Sequence, residues 1–307
     1  MSPREVTKSI QQKVLKTYCD NMESLSKAKQ FHFNSRLFLW TQESCYEKRL
    51  ISLKDFFLEN IEEILENVKN PVAEHSRRFL HQRQFALEKY PWITQYNALL
   101  FKWLFLKTIF RVDIRERVLL AIPKDILQFY AKTLLNDPHS LIALSTLGIN
   151  FLYLTRGILQ DSTLFHPENL LHIAEKHYPD TNEYAELSLY YFTHCIIGES
   201  EFYNKKPLQE NTDIYQSIIY LCEEILEKHF PIISLDNKVE FLVAAKLCQT
   251  QSALLKAIQE ECVENFSKKL GYIRDLRRAT KTESLSSEEH RNVLYIMSNL
   301  EFTAHSS

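Results

Sequence analysis

Apolar residues recur at helical spacing along most of the chain, and the clearest case is the segment 52–71. Its apolar positions follow the period of an α-helix: Phe57, Ile61, Ile64, Leu65 and Val68. Ser52 followed by Asp55 forms a capping pattern, and Pro71 prevents the helix from continuing. The segment therefore predicts one amphipathic helix that begins near Ser52 and stops at Pro71.

Two other segments, 97–110 and 141–159, are apolar on nearly every side of a helix. Each is typical of either a membrane span or a helix in a protein core. Two lysines interrupt the first segment, and the second contains Asn150 and Arg156, which are unfavourable in hydrocarbon unless they have partners. We therefore predict two buried helices and no membrane span, because the other helices of the chain are amphipathic.

A short pattern occurs three times, as EKYP at 88–91, EKHYP at 175–179 and EKHFP at 227–231. Each copy predicts the end of one helix, because a basic residue suits the negative end of the helix dipole and proline stops continuation. The residues predicted to cap the next helices follow two or three positions later: Thr94, Thr181 and Ser234. The last two copies are 52 residues apart, which is enough for two antiparallel helices with their loops.

These features predict an all-α fold built from antiparallel helical hairpin repeats, either an open solenoid or a closed α/α toroid. We expect residues 1–280 to form a single helical-repeat domain. The polar stretch 281–287 predicts a linker before a final helix, which Ser286 and Glu289 cap and which runs to about residue 302. Residues 281–307 are thus expected to be linker, C-terminal helix and tail.

Glycine is scarce, since the 307 residues include only four: Gly148, Gly157, Gly198 and Gly271. Dinucleotide-binding loops, phosphate loops and nucleophile elbows all need closely spaced glycines, so these classes of site are excluded. The formal charge is −2, with 37 basic and 39 acidic side chains, which argues against a general nucleic-acid or anionic-membrane binder. No cofactor is expected from any motif in the chain.

The six cysteines are scattered without a CxxC pair, which predicts free thiols in a reducing compartment. The first twelve residues contain no apolar core of the kind that a secretory signal peptide has. We therefore expect a cytoplasmic protein, with export by a signal-independent route left open.

The segment 187–203 contains the most informative polar residues, because its first part is apolar nearly all round. On one continuous helix, Tyr191, His194, Gly198 and Glu201 would share a face, at i, i+3, i+7 and i+10. Glycine between the histidine and the carboxylate would leave a notch. His194 and Glu201 would then be separated by about 10 Å along the axis, which suits a ligand held between them.

Three residues on this face are candidate catalytic residues: His194, Glu201 and Tyr191. A histidine in apolar surroundings is a possible general acid or base near neutral pH, and the other two would orient it or complete proton transfer. The candidate ligand-binding residues are their polar or small neighbours: Thr193, Gly198 and Ser200. The alternative is structural, with a buried histidine that satisfies one hydrogen bond and a glycine that admits a neighbouring helix.

The residues LYYFTHCII at 189–197, followed by Ser200, Glu201 and Phe202, also carry a resemblance. They resemble a Thr-His-x-apolar-apolar-x-x-Ser/Thr-acid-Phe signature in uncharacterised bacterial all-helical proteins of toroid-like appearance. The resemblance implies that His194 and Glu201 belong to one site and favours the toroid. It implies no particular activity.

Other charged groups carry weaker signals. The pair His172 and Glu175 has metal-ligand spacing on a helix, but the neighbouring His177 does not join them, so no metal site is predicted. Two basic groups are interpreted as solvated faces, although the second is compact enough for a phosphate or an acidic partner. They comprise Arg77, Arg78, His81 and Arg83, and Arg274, Arg277, Arg278 and Lys281.

Three functions follow as hypotheses. The first is a cytoplasmic helical-repeat protein that binds a peptide or small organic ligand on a concave face near His194. The second is an acid/base enzyme of the lyase, isomerase or hydrolase class that uses His194 and Glu201 in an enclosed pocket. The third is a protein-interaction scaffold without catalysis, which would expose an apolar patch. Expected partners are a peptide, a protein or a small molecule.

Overall fold

The computed structural model describes residues 3–71, 80–276 and 284–303, and 71% of what it describes is helical. The all-α class predicted from the sequence is therefore confirmed. The first eight α-helices are α1 (Pro3–Asp20), α2 (Lys27–Thr41), α3 (Ser44–Ser52), α4 (Lys54–Leu58), α5 (Ile61–Asn67), α6 (Leu80–Lys89), α7 (Ile93–Thr108) and α8 (Arg115–Ala121).

They are followed by α9 (Lys124–Leu135), α10 (Pro138–Leu144), α11 (Thr146–Leu159), α12 (Pro167–His177), α13 (Ala185–Glu199), α14 (Thr212–His229), α15 (Leu235–Leu247), α16 (Leu255–Glu264) and α17 (Glu289–Asn299). Short 3₁₀ turns cover Met22–Ser24 and Gln209–Asn211. Two two-residue strands, β1 (Phe266–Ser267) and β2 (Tyr272–Ile273), pair in antiparallel register. Gly271 closes this ribbon with a φ of +78°, which a residue with a side chain rarely adopts.

One prediction is wrong at 52–71, where the structure has several short helices instead of one. Ser52 is the last residue of α3, and its hydroxyl donates to the carbonyl of Arg49, so it does not cap a following helix. Asn60 adopts a left-handed φ of +61° and separates α4 from α5. The apolar spacing identified helical residues but not the break between them.

A second prediction is wrong at 141–159, where two helices meet at Ser145 with a bend of 102°. Ser145 has a φ of +52°, and its hydroxyl donates to the backbone carbonyl of Leu187 at 2.6 Å. Gly148 allows the sharp bend, because a Cβ there would lie 2.7 Å from a methyl carbon of Leu141. The residues are buried as predicted, but they form α10 and α11.

All three helix ends predicted from the repeated pattern are confirmed, since α6, α12 and α14 end at Lys89, His177 and His229. These ends contact loops about one hairpin away in the chain. The ammonium of Lys89 lies 2.6 Å from a carboxylate oxygen of Asp137, and Lys228 pairs with Asp180.

The caps predicted for the following helices are confirmed in only one of three cases. The Ser234 hydroxyl accepts from the backbone nitrogen of Asn237 at the start of α15. Thr94 lies inside α7, which begins one residue earlier, and Thr181 lies in the turn that precedes α13.

Six long helices pack against one another in a simple order. α7 packs on α11, α11 on α13, α13 on α15, α15 on α17, and α17 on α2. The largest buried side chains belong largely to these helices and include Trp40, Trp103, Phe151, Phe192 and Phe241. Burial of each such ring stabilises the fold by roughly 1.5–3 kcal/mol.

The final helix, α17, is part of this same core. Val293, Tyr295 and Met297 are fully buried, and the Tyr295 hydroxyl donates to the carbonyl of Thr7. The helix begins at Glu289 after Glu288 and ends at Asn299, so the cap predicted at Ser286 and the end predicted near residue 302 are wrong.

In the part of the chain that the structure describes, no single helix has the length and hydropathy needed to cross a bilayer. The bent pair α10 and α11 reaches those values only when both helices are taken together.

Candidate functional site

Polar side chains from five helices meet around two buried carboxylates. We call this group the histidine cluster. It comprises Lys29, His32 and Arg36 on α2, Asn150 on α11, Thr193 and His194 on α13, Glu240 on α15, and Glu289 and His290 on α17.

His194 is held on both sides of its ring. Nδ1 donates to Oδ1 of Asn150 at 2.7 Å, and Nε2 lies 3.5 Å from Oε1 of Glu240. The hydroxyl of Thr193 donates to the same Glu240 oxygen at 2.7 Å. Only 14% of the His194 side chain is exposed, and both ring nitrogens already face protein oxygens.

Glu240 is the buried carboxylate at the centre, with 4% of its side chain exposed. Burial opposes its ionisation, but the interactions with His194 and the hydrogen bond from Thr193 outweigh burial, so the pKa of Glu240 lies below its ordinary value. A buried carboxylate without such partners would be strongly destabilising. The histidines and Glu240 therefore depend on one another.

Glu289 is the second buried carboxylate, with no exposed side-chain surface. Its oxygens accept from Nδ1 of His32 at 2.8 Å and from the ammonium of Lys29 at 3.1 Å. Burial again opposes ionisation, and His32 and Lys29 outweigh it, so the pKa of Glu289 is lowered. This pair connects α17 to α2.

His290 lies between the two carboxylates, with its ring centre 5.4 Å from that of His32 and its Nε2 3.8 Å from Oε2 of Glu240. Burial and the nearby His32 lower the pKa of His290 to about 4, so the ring is uncharged at neutral pH. The side chain is 36% exposed, and Nδ1 has no hydrogen-bond partner among the described residues. His290 therefore presents an unused acceptor.

Arg36 follows His32 by four residues and lies on the same face of α2. Its guanidinium carbon stacks 4.7 Å from the ring centre of Tyr203. Nε and Nη1 are buried and make no hydrogen bond within residues 3–71, 80–276 and 284–303. Burial raises the pKa of the Tyr203 phenol, and the charges of Arg36 and Glu240 act on that pKa in opposite directions.

Tyr203 reaches this position because the chain makes a left-handed turn after α13. Glu201, Phe202 and Tyr203 have φ values of +49°, +55° and +76°. Each such residue costs roughly 1–2 kcal/mol relative to right-handed backbone. The buried rings of Phe202 and Tyr203 hold the turn, and the Ser200 hydroxyl accepts from the Tyr203 backbone nitrogen at 2.9 Å.

The turn overturns the single helical face predicted for Tyr191, His194, Gly198 and Glu201. Helix α13 ends at Glu199, so its period does not extend to Glu201, which pairs with Lys205 at 2.9 Å. The hydroxyl of Tyr191 donates to the carbonyl of Leu170 at 2.9 Å and is fully buried. Of the six predicted site residues, Thr193 and His194 alone contribute side chains to the histidine cluster.

The notch predicted at Gly198 is filled by a neighbouring helix. A Cβ at this position would overlap the ring of Tyr153 on α11. This is the structural alternative that the sequence left open for Gly198. Ser200 likewise serves the turn, because its hydroxyl donates to the Ile197 carbonyl at 2.7 Å and accepts from Tyr203.

Gly198 and Glu201 line a different depression, which we call the turn groove. It consists of two adjoining cavities with volumes of about 400 and 220 Å³. Both are lined by Lys107, Tyr153, Gly157, Gly198 and Glu201. One wall carries Arg156, whose guanidinium lies against the rings of Tyr153 and Phe165 and pairs with the buried Glu199 at 2.7 Å.

One of the predicted basic groups has surroundings different from those expected. Arg83 is buried and donates through Nε to the carbonyl of Ala143 at 3.2 Å, so it does not belong to a solvated face. His166 caps α12, with Nδ1 accepting from the backbone nitrogen of Glu168. Within the described ranges, no group of three His, Cys, Asp or Glu side chains is arranged to hold a metal ion, and all six cysteines are free. Five residues of the two predicted basic groups lie outside the described residues: Arg77, Arg78, Arg277, Arg278 and Lys281.

Sequence reasoning did not assign the other seven members of the cluster to a site: Lys29, His32, Arg36, Asn150, Glu240, Glu289 and His290. For Glu240 a signal existed, because it interrupts the apolar run VEFLVAA in the same way that Thr193 and His194 interrupt theirs. The residues on α2 and α17 gave no such signal, since their partners are distant in the chain.

Comparison of the chain with models of known families, with curated proteins and with solved structures finds no match in any of the three. The resemblance suggested by the residues around His194 stays a prediction.

Proposed function

We propose that the long helices form a closed, toroid-like array whose inner side carries the histidine cluster. The packing order from α7 through α17 to α2 supports this proposal, as does the contact that returns from α2 to α7. In that contact the ring centres of Phe31 and Phe105 lie 5.5 Å apart. Five of these six helices contribute to the cluster, as expected if they surround a common interior.

On this basis we propose that the protein binds a small organic ligand at the histidine cluster. The observation that carries the proposal is the grouping of seven polar side chains with two buried carboxylates, with unused hydrogen-bonding atoms left at His290 and Arg36. A purely structural network would be expected to satisfy its own members, because unsatisfied buried polar atoms are costly. Partly exposed imidazoles above buried carboxylates are typical of ligand sites.

The acid/base hypothesis needs different residues from those predicted from the sequence. Glu201 lies in the turn groove, and His194 already contacts Asn150 and Glu240, so the predicted His194–Glu201 pair has no geometric support. His290 is a better candidate for proton transfer, because its Nε2 lies 3.8 Å from a Glu240 oxygen while Nδ1 stays open and the ring is uncharged at neutral pH. We keep this as a second candidate function at the same site.

The test is a screen of small neutral, anionic and cationic fragments by ligand-observed NMR against the wild-type protein. We expect binding that is lost in His290→Gln, which changes a partly exposed side chain, and in Glu240→Gln. Glu201→Gln is the matched control, since it alters the turn groove alone, and it should keep the binding. Loss of binding in Glu201→Gln with retention in His290→Gln would contradict the proposal, as would the absence of any bound fragment.

A further inference from the structure

Charge pairing within the histidine cluster leaves one cation unmatched. Glu289 pairs with Lys29 and His32, and Glu240 lies between His194 and His290. Both carboxylates therefore already have two partners each. Arg36 has no carboxylate partner among the described residues, although it lies on the same helix face as Lys29 and His32.

The Arg36 guanidinium is held in place without being neutralised. Its guanidinium carbon lies 4.7 Å from the centre of the Tyr203 ring, and two of its nitrogens are buried without acceptors. Buried donors that lack acceptors cost about 1–3 kcal/mol each, and more when the group is charged. The third nitrogen, Nη2, is neither bonded nor fully buried, so it is the point at which an incoming acceptor can reach the group.

We infer that the ligand of the histidine cluster is a small organic monocarboxylate whose anionic group Arg36 binds. This inference rests on the proposed function, because it names the class of ligand for that site. A carboxylate supplies the planar oxygens that match a guanidinium and a single negative charge. Within the histidine cluster, Arg36 is the cation whose side chain has no carboxylate partner among the described residues. A phosphate dianion would leave excess negative charge beside Glu240.

Aromatic side chains lie close to the site, so a carboxylate with a flat apolar body is a reasonable first probe. Arg36 stacks on Tyr203, and the ring of Tyr190 lies 6.4 Å from that of His194. Benzoate is therefore a suitable probe, with benzamide as its uncharged isostere, benzylamine as its cationic counterpart, and inorganic phosphate as a different anion.

The experiment measures binding of these four probes by calorimetry at neutral pH, with wild type, Arg36→Gln and Arg36→Lys. We expect benzoate to bind best and its affinity to fall at least about tenfold in Arg36→Gln, which equals about 1.4 kcal/mol. Arg36→Lys should restore part of the affinity, because it keeps the charge but not the planar donors. Lys107→Gln, which removes a cation from the turn groove, should bind benzoate like wild type.

The outcomes separate this inference from the proposed function. Equal binding of benzamide and benzoate, tighter binding of phosphate, or unchanged benzoate affinity in Arg36→Gln would overturn the inference. If neutral or cationic fragments bind at the cluster and benzoate does not, the inference fails while the proposed function stands. If no probe or fragment binds, both fail. Circular dichroism of Arg36→Gln and Arg36→Lys establishes that each is folded before its affinity is compared.

Discussion

The histidine cluster and the turn groove flank the same helix, α13, yet they are built by different means. In the cluster, buried carboxylates hold side chains that come from five helices. In the groove, a left-handed backbone turn exposes Glu201 while its two neighbours are buried. A dozen consecutive residues thus supply both regions, with His194 in one and Glu201 in the other. Closeness in sequence therefore does not make two polar residues one site.

The largest difference between the two regions should appear when their carboxylates are removed. In Glu240→Ala, His194, His290 and Thr193 lose a buried partner, and we expect unfolding to become easier by about 3–5 kcal/mol. The matched variant Glu201→Ala removes an exposed ion pair and should change stability by less than about 1 kcal/mol. Urea unfolding followed by circular dichroism measures both. Similar losses in the two variants would erase the distinction between a buried network and a surface groove.

Two glycine substitutions test how tightly the helices pack beside the turn groove. Gly198→Ala places a methyl group against the Tyr153 ring, and overpacking of this kind destabilises by about 1–3 kcal/mol. Gly157→Ala is the control on the opposite helix, because the nearest atom to its Cβ is 3.7 Å away in Trp103. There the added helix propensity should leave stability equal or raise it by up to about 1 kcal/mol. Thermal unfolding measures the stability of both variants. Equal stability of Gly198→Ala and Gly157→Ala would contradict the close contact between residue 198 and the Tyr153 ring.

The smallest effect concerns pH and the cluster alone. The pKa of His290 is about 4 in the folded chain and about 6.5 in the unfolded chain, so unfolded protein binds the extra proton as the pH falls from 6.5 to 4. The stability that the neutral ring contributes is complete above pH 6.5 and declines across this window. Below it, Glu240 and Glu289 add a further loss as they are protonated, because their pKa values are lowered by folding.

We expect the free energy of unfolding to fall less steeply between pH 6.5 and 4 in His290→Gln than in wild type. The change should be modest, since solvent screens a side chain that is 36% exposed. The charged groups around His290 are His32, Asp236, Glu240 and Glu289, and they are unchanged in this variant. Urea titrations at a series of pH values measure the slope. Parallel slopes in the two proteins would show that His290 does not titrate as described.

Much of the fold was predictable from local chemistry. Scarce glycine and helical spacing gave the all-α class, and the EK(H)YP pattern located three helix ends because dipole and proline effects act within a few residues. The bend at Ser145 was not predictable, since it depends on the contact between Gly148 and Leu141 and on a hydrogen bond to Leu187. The left-handed turn after Glu199 depends in the same way on where two rings are buried.

The candidate site was predictable only where polarity contrasted with its surroundings. Thr193 and His194 were found because they interrupt an apolar helix, and both belong to the histidine cluster. Glu201 was assigned to the same site because a helical face was extended past the true end of the helix. Arg36 and His290 could not be recognised as site residues from the sequence, because folding brings their neighbours together from distant parts of the chain.

The contact between α17 and α2 has a consequence for how the protein is made. Glu289 binds side chains that precede it by 257 and 260 residues, so α2 leaves the ribosome long before its partner is translated. During that interval Lys29 and His32 lack the carboxylate that they bind in the folded chain. Because such distant contacts form slowly, the histidine cluster should be among the last parts of the nascent chain to assemble.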